Sequence, residues 1–450
     1  MSKMTVDFSN PQGPVKAMHA VGQPPVIYAD YTYFHYLKDA HIPYSRLHDV
    51  EPYLGVITYV DIHNVFPDFT ADETDPASYN FVYTDGLITA LMEHNCPPIF
   101  RLGESIENDQ AKGYAPKYIV PPKDFKKWAR VCEHIIRHYN CGWADGFEYG
   151  IQYWEIWNEP DNGFKAGEGP VEDRNQMWSG TFEEYYDLYS TTALHLRECF
   201  GNSIKIGGYA SSGLYAIFNE PEKYGVDPKF KKFYRERYVR FLQFFDEFLA
   251  HVKKTDAPLD FYSWHSYSDV DRTVEMAKYV DRKLKSEGFD CEQHCNEWNN
   301  AHSYEGRGTS YANAHAVAMM LGMHGTATDV MCYYDAKLGL GTYAGMFNPE
   351  RNTPYCLYYG FKAYGELYAL GNAVACEGLP ENVYGLGATD GKTNALLLAN
   401  IGKPQEITTD LAGYDVYLID QDHFMTKVYW NPTSFVLGEN DVIYLEKRSK

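Results

Sequence analysis

Between about residue 17 and residue 370 the chain alternates short β-rich runs with longer stretches in which apolar residues recur at spacings of three and four. The short runs are Ala17 to Val21, Tyr44 to His48, Pro98 to Gly103, Gln152 to Asn158, Ile204 to Tyr209, Leu259 to Tyr267, Asp290 to Glu297 and Asp329 to Tyr334. Helical periodicity fills the gaps, as in Phe125 to His138, Phe182 to Phe200, Phe230 to Val252, Val274 to Ser286 and Tyr311 to His324. Strands alternating with helices are the signature of parallel βα units, and eight of them predict an α/β fold of the (β/α)8 TIM-barrel type. One unit differs: Gly55 to His63 alternates polar and apolar and predicts an extra hairpin near the barrel mouth.

Beyond Leu370 helical periodicity gives way to short alternating runs separated by Gly, Asn and Asp: Val383 to Leu386, Asn394 to Asn400, Val416 to Ile419, Phe435 to Leu437 and Asp441 to Glu446. They predict a small antiparallel β-sandwich. The expected organisation is a barrel over residues 15–370 and a sandwich over 371–450, with residues 1–14 joined to it, Thr5 to Phe8 supplying a strand. No internal repeat or low-complexity segment interrupts the pattern.

Composition narrows the partners. The 450 residues carry a formal net charge of -21, which would repel a phosphate backbone or an anionic membrane and leaves a neutral ligand compatible. A hydrophobic share of 45% with 22% charged residues suits a globular protein with a substantial core. Aromatic residues reach 16%, with 40 Tyr and 8 Trp; such rings stack on sugar faces and equally fill partly exposed interfaces. The start, Met1 to Pro11, has no apolar core of a leader, and no stretch approaches the ~18 apolar residues of a membrane span, so the expectation is a cytoplasmic protein. Nine scattered cysteines fit reduced thiols. Cys291, His294 and Cys295 invite a metal reading, but no second ligand pair has matching spacing.

Enzymes with barrels of this kind do their chemistry at the carboxyl ends of the strands, and two carboxylates fall there. Glu159 follows the alternating run Tyr153 to Trp157, with Asn158 before it and Pro160 stopping the ladder; Glu297 ends the seventh run, before Trp298 and Asn299. Strands four and seven face one another across a closed barrel. Facing carboxylates are what hydrolysis of a glycosidic bond requires, one protonated to donate to the leaving oxygen and one ionised to attack or to activate water. The bland alternative pairs each glutamate with a Lys or Arg at the rim.

Trp154 to Asp161 (Trp-Glu-Ile-Trp-Asn-Glu-Pro-Asp), with Glu297 in Asn-Glu-Trp-Asn, resembles glycoside hydrolase family 39, the β-xylosidase and α-L-iduronidase group of retaining barrel glycosidases. His19-Ala-Val-Gly22, Tyr44-Ser-Arg-Leu-His48 and Asp260 to Tyr267, ending in His-x-Tyr, resemble its first, second and sixth strands. The resemblance covers the barrel. It implies that Glu159 is the acid/base and Glu297 the nucleophile, that Asn158 bonds the sugar 2-hydroxyl, and that Tyr267 bonds the nucleophile while His265, His48, Arg46 and Trp298 line the site. Bland readings stand beside these: His48 as a satisfied barrel histidine, Tyr267 as packing, and Arg46 orienting a carboxylate such as Glu297 rather than touching sugar. The spacing of His265 and Tyr267 puts both on one strand face, pointing inward together or not at all.

The chain departs from the family pattern in three places. Strand eight ends Met331-Cys-Tyr-Tyr-Asp-Ala336, where Tyr334 and Asp335 stand in for a Trp and an acidic residue that grips the sugar. Strand three brings Glu104 to the mouth, to bond sugar hydroxyls or to pair with Arg101. The stretches Gly163 to Gly180, with Phe164 and Trp178, and Leu338 to Arg351, with Tyr343 and Phe347, are long and Gly-rich and set specificity. The resulting expectation is a retaining exo-acting glycosidase of β-xylosidase type needing no metal or organic cofactor, with an oligosaccharide or glycoside substrate. Competing expectations are a galactoside, arabinoside or uronide substrate (the last calling for a cation such as Arg101 or Lys337), a catalytically silent carbohydrate-binding barrel, and a metal hydrolase built on His48, Asp49 and His63. A homo-oligomer is open, with the sandwich as lid or subunit interface.

Overall fold

The protein is described by a computed structural model that covers residues 2–25, 33–50, 60–105, 119–162, 177–220, 231–301, 306–334, 336, 343–348 and 350–448. Strands β1 (Ala17–Gly22), β2 (Ser45–Leu47), β3 (Pro98–Leu102), β4 (Tyr153–Ile156), β5 (Lys205–Ser211), β6 (Phe261–Ser266), β7 (Glu292–Trp298) and β8 (Val330–Tyr333) form a closed barrel, all parallel, with β8 paired to both β7 and β1. All eight expected strands are present, their ends within two residues of the sequence reading. A helix follows each strand in turn: Phe34–Asp39, Val82–Glu93, Phe125–Cys141, Phe182–Phe200, Lys231–Thr255, Val270–Glu287, Ser310–His324 and Cys356–Leu370.

Local chemistry sets several of these boundaries. Thr181 and Glu184 form a reciprocal capping box at the start of Phe182–Phe200, an arrangement worth about 1 kcal/mol. Asp124 caps Phe125–Cys141 through the Lys127 amide at 3.0 Å, and Gly142 ends that helix at φ 69°, which glycine adopts without the Cβ clash.

Alternation along the strands layers the barrel interior. Ile99, Tyr153, Phe261, Val330, Cys332, Ala17 and Ala20 form an apolar cluster inside. Two residues further along β3, β4 and β6 the same face carries Arg101, Glu155 and Ser263, all fully buried. The apolar plug therefore supports a polar floor directly beneath the carboxyl ends of the strands.

Downstream of the barrel lies a six-stranded antiparallel sheet in the order Asn372–Val374, Val383–Thr389, Thr393–Asn400, Val442–Arg448, Asp415–Ile419, Thr426–Val428. One face, with Leu396, Leu398, Val416, Leu418, Ile443 and Leu445, packs on Ile407, Phe435 and Leu437 of the opposing strands Gln405–Thr408 and Ser434–Leu437. Ser2–Lys3 joins this second sheet parallel to Gln405–Thr408, and Thr5–Val6 pairs with Cys376–Glu377. The other face, with Ala395, Leu397, Ala399, Val442 and Tyr444, belongs to the same apolar core as the helices Ser310–His324 and Cys356–Leu370. Burial on both faces explains why Ala395 to Ala399 is apolar without a break. It also explains why Ser310–His324, covered on both sides, has no polar stripe.

The hairpin expected over Gly55 to His63 falls largely on residues 51–59, outside the described residues. Its described end is helical: Ile62–Val65 form a single turn begun by Asp61, so His63 sits in a helix, not a strand. No helix among the described residues is long and apolar enough to cross a membrane.

Candidate active site

Strict alternation along β4 would send Asn158 away from the interior that Glu155 faces. Trp157 breaks the alternation. Its backbone is left-handed, with φ 69°, and its amide donates to the Leu102 carbonyl at 2.8 Å. Its indole turns outward, donating to the Met177 carbonyl at 2.8 Å and meeting Trp178 edge-on at 5.0 Å. Gly103 permits this approach, since a Cβ there would meet the Trp157 Cα at 3.0 Å. Glu159 is also left-handed, φ 46°, pinned by its amide to the Ala210 carbonyl at 3.2 Å. Non-glycine residues in this region cost about 1–3 kcal/mol each, and such strain collects where side chains must be aimed. Here it aims Asn158 and Glu159 into the mouth.

A β-bulge performs the same service on β7. Trp264 pairs with Cys295 but His265 pairs with Glu297, so Asn296 is the extra residue. Two successive side chains, Asn296 and Glu297, then face the interior. On β6 the alternation is unbroken, and His265 and Tyr267 both point inward. The Tyr267 hydroxyl donates to Glu297 Oε1 at 2.5 Å, and His265 Nδ1 lies 2.7 Å from Glu159 Oε1 and 3.8 Å from Glu297 Oε2. One oxygen of each glutamate and the imidazole nitrogen all fall within 4.8 Å of one another. The nearest oxygens of the two carboxyl groups are thus within 4.8 Å, close enough for both to reach one glycosidic bond.

Arg46, buried beneath the pair, ties the strands together. Its guanidinium donates to Glu155 Oε2 at 2.7 Å, to Glu297 Oε2 at 3.1 Å and to Asn158 Oδ1 at 2.6 Å. Glu155 also accepts from Ser263 at 2.6 Å and from Asn296 Nδ2 at 2.5 Å. Burial alone would raise the Glu155 carboxyl, but Arg46 and these donors hold it below its ordinary value, so an ionised Glu155 neutralises the buried guanidinium.

The two mouth glutamates differ in their partners. Burial pushes Glu159 up to about 7, opposed only by the amide of Asn162 at 3.4 Å and by more distant cations. Burial raises Glu297 as well, opposed by His265, by Arg46 and by the Tyr267 hydroxyl. Burial and the neighbouring guanidinium keep His265 below its usual value, so its contact with Glu159 is a hydrogen bond to a neutral ring. A proton placed on Glu159 and a charge on Glu297 is the distribution these contacts favour.

Around the pair, His48 Nε2 lies 3.1 Å from Asp49 Oδ1 and the Tyr334 hydroxyl donates to Asp49 Oδ2 at 2.8 Å. Tyr343 stacks on Tyr267 at 5.0 Å and meets Tyr334 edge-on at 5.8 Å, forming an aromatic wall. The structure thus brings Arg46, Asn158, Glu159, His265, Tyr267 and Glu297 into one network, with His48 and Tyr334 joined through Asp49 beside it.

Two expected sugar contacts lie elsewhere. Glu104 bonds the His63 amide at 3.3 Å and makes a short contact with the His63 ring, in a cavity of about 310 Å³ lined by Phe66, Phe69, Trp128 and Trp157. It does not pair with Arg101 either, which instead holds Asp61 and Ser105. Trp298 faces outward because of the bulge, packing on Tyr333 at 4.9 Å and Phe361 at 6.4 Å. His63 is in the Glu104 group rather than with His48 and Asp49, so the three do not gather as a metal hydrolase would need. Cys295 packs in the main core outside the barrel while His294 stacks on Phe261 within it, which separates the Cys291, His294 and Cys295 trio. Phe164, Asp335 and Lys337 lie outside the described residues. The sequence reading misses Glu155, Asn296 and Asn162 and names Asp49 only as a metal-hydrolase candidate; for Glu155 the signal is present, as a charge on the same face as Tyr153 in an otherwise apolar strand.

The model of the glycosyl hydrolases family 39 matches residues 35–289, more than half of the chain. Two curated relatives are β-xylosidases: one from Caldicellulosiruptor saccharolyticus, 23% identical over 247 residues, and one from Geobacillus stearothermophilus, 24% identical over 220. These alignments take in 50% and 46% of this chain but only 42% and 34% of the relatives' lengths. Among solved structures, a glucosidase from Croceicoccus marinus aligns with a TM-score of 0.75 at 20% identity, covering 99% of this chain and 98% of its own. A family 39 β-xylosidase from Caulobacter crescentus aligns with 0.67 at 17%, covering all of both. The barrel, its sandwich and the family match together place the chain in glycosyl hydrolase family 39.

Proposed function

We propose that the chain is a retaining, exo-acting glycosidase of β-xylosidase type. The observation that carries the reading is the pairing of Glu159 and Glu297 within 4.8 Å, one facing a neutral imidazole and the other a guanidinium and a phenol. Glu159, protonated, donates to the glycosidic oxygen while Glu297 attacks the anomeric carbon, giving a glycosyl ester and free aglycone. Glu159, now ionised, takes a proton from water, which attacks the same carbon and restores Glu297. Asn158, its amide oxygen held by Arg46, presents its NH2 to the sugar 2-hydroxyl, and Tyr267 keeps Glu297 aimed.

The xyloside preference rests on the two β-xylosidase relatives, and the glucosidase of similar fold makes a glucoside the first competitor. Initial rates on aryl β-xyloside, glucoside, galactoside, arabinoside and uronide, identical in leaving group, separate these readings. Xyloside should lead by at least about tenfold, as the exclusion of a hydroxymethyl group costs at least ~1.4 kcal/mol. A proton NMR time course should show the β-anomer of a free monosaccharide first. The α-anomer first would remove the double displacement, longer products would remove the exo mode, and no turnover of any substrate would favour a silent carbohydrate-binding barrel.

A further inference from the structure

Away from the mouth, one group of metal-ligating side chains joins the two helices on either side of β4. Helix Phe125–Cys141 carries Glu133; helix Phe182–Phe200 carries His195 and Cys199, four residues apart and so one turn above each other on a single face. Glu133 Oε2 lies 2.6 Å from His195 Nε2, Cys199 Sγ lies 3.7 Å from the same nitrogen, and the three ligand atoms fall within 4.8 Å of one another. Tetrahedral zinc with bonds of ~2.0–2.3 Å sets its ligand atoms ~3.3–3.8 Å apart. The Cys199 to His195 spacing already meets that, while Glu133 and His195 would part by roughly 1 Å around a cation.

The surroundings suit such a site. Arg137 donates to Glu133 Oε1 at 2.6 Å, which fixes the carboxylate and leaves Oε2 turned toward the histidine, as partners behind a ligand commonly do. Glu133 and His195 keep 12% and 27% of their side-chain surface, enough for water to supply a fourth ligand.

We propose that Glu133, His195 and Cys199 form a site for a borderline-soft divalent cation of the zinc class, clamping together the helices that flank the strand carrying Glu159. The clamp acts on stability, and the proposal stands whether or not the glycosidase reading holds.

The test uses the full chain, stripped with a chelator and titrated with cobalt, whose thiolate complexes absorb in the near ultraviolet. About one equivalent should generate the thiolate-to-cobalt band, and zinc should bleach it. Zinc in slight excess should also raise Tm by about 2 °C or more. Cys199→Ser should lose the band, and His195→Ala should weaken zinc binding at least about tenfold, while Cys141→Ser keeps both. Absence of the band in the unmodified chain at saturating cobalt overturns the proposal without any variant. So does a band that survives Cys199→Ser, or zinc uptake equal in all three variants.

Discussion

The tips of β4 and β7 hold the same residue type at one mouth, yet their surroundings differ in kind. Glu159 meets a neutral imidazole at 2.7 Å and an amide at 3.4 Å; Glu297 meets a guanidinium at 3.1 Å and a phenol at 2.5 Å. Burial raises both carboxyl groups, so burial does not distinguish them. What distinguishes them is whether the neighbours stabilise an anion. A carboxylate at Glu297 has a charged donor and a hydroxyl donor already in place, whereas one at Glu159 has little beyond the ring it touches. The contacts favour a proton on Glu159 and a charge on Glu297, the distribution on which the proposed roles rest.

The most direct way to break the comparison is to remove each carboxylate. Glu297→Ala should lower kcat by at least about 10⁴-fold on every substrate, because no covalent intermediate forms. Azide should rescue it and give the glycosyl azide of inverted configuration. Glu159→Ala should lose about 10²–10⁴-fold on substrates with poor leaving groups and much less on activated aryl glycosides. Azide rescue there should give the azide of retained configuration. If the two variants yield these azides the other way round, the roles are exchanged.

Tyr267→Phe probes the nucleophile's side more gently. Deleting a hydrogen bond to a charged group costs about 1.5–3 kcal/mol, a loss of about 10- to 100-fold in kcat/KM. The basic limb of the pH profile should stay where it was, since Glu159 is untouched. A limb that moves as far as it does in a Glu159 variant would mean that Tyr267 serves the acid.

The same Glu→Gln substitution should change stability by different amounts at the two tips. The folded Glu159 carboxyl, at about 7, titrates well above an ordinary carboxylate. Its raised pKa is harmless in acid, and stability is lost as pH rises through about 7. Glu159→Gln should therefore raise Tm at pH 8 and leave it unchanged at pH 4, with at most about 3 kcal/mol involved. The acid's ionisation also predicts that kcat/KM falls above about pH 7. Glu297→Gln also removes a carboxyl that burial raises, but one that faces buried Arg46 and accepts from Tyr267, so the gain in Tm at pH 8 should be smaller than at Glu159. Equal shifts at both tips would erase the distinction.

Much of this site was legible in the chain. The eight strand runs follow from period-two alternation, strand counting puts Glu159 and Glu297 at facing strand ends, and the same period sets His265 and Tyr267 on one face. The misreadings occur where alternation is broken by a single residue. The left-handed backbone at Trp157 and the bulge at Asn296 each reverse one side chain, and no one-dimensional pattern records them. Trp298, which the resemblance puts at the site, packs outward because the bulge turns Glu297 inward in its place. Glu155 was hidden for the opposite reason: it obeys the pattern, but its partners Arg46, Ser263 and Asn296 come from three other strands that meet only when the barrel closes.

Glu104 supplies the sharpest control on what makes a catalytic acid. Burial raises its carboxyl, as it does at Glu159, with His63 opposing. A raised carboxyl at the end of a barrel strand is often taken as a mark of function. Glu104, however, holds His63 beside an apolar cavity, and neither mouth glutamate is among its partners. If placement decides, Glu104→Gln keeps a hydrogen bond to the histidine and should leave kcat/KM within about threefold, or under ~0.7 kcal/mol of barrel-mouth chemistry. The basic limb of its pH profile should coincide with that of the unmodified chain. A loss of about a hundredfold, or a limb displaced by a full unit, would show that this third carboxyl reaches the substrate after all, and the contrast between β4 and β7 would then have to be drawn among three groups instead of two.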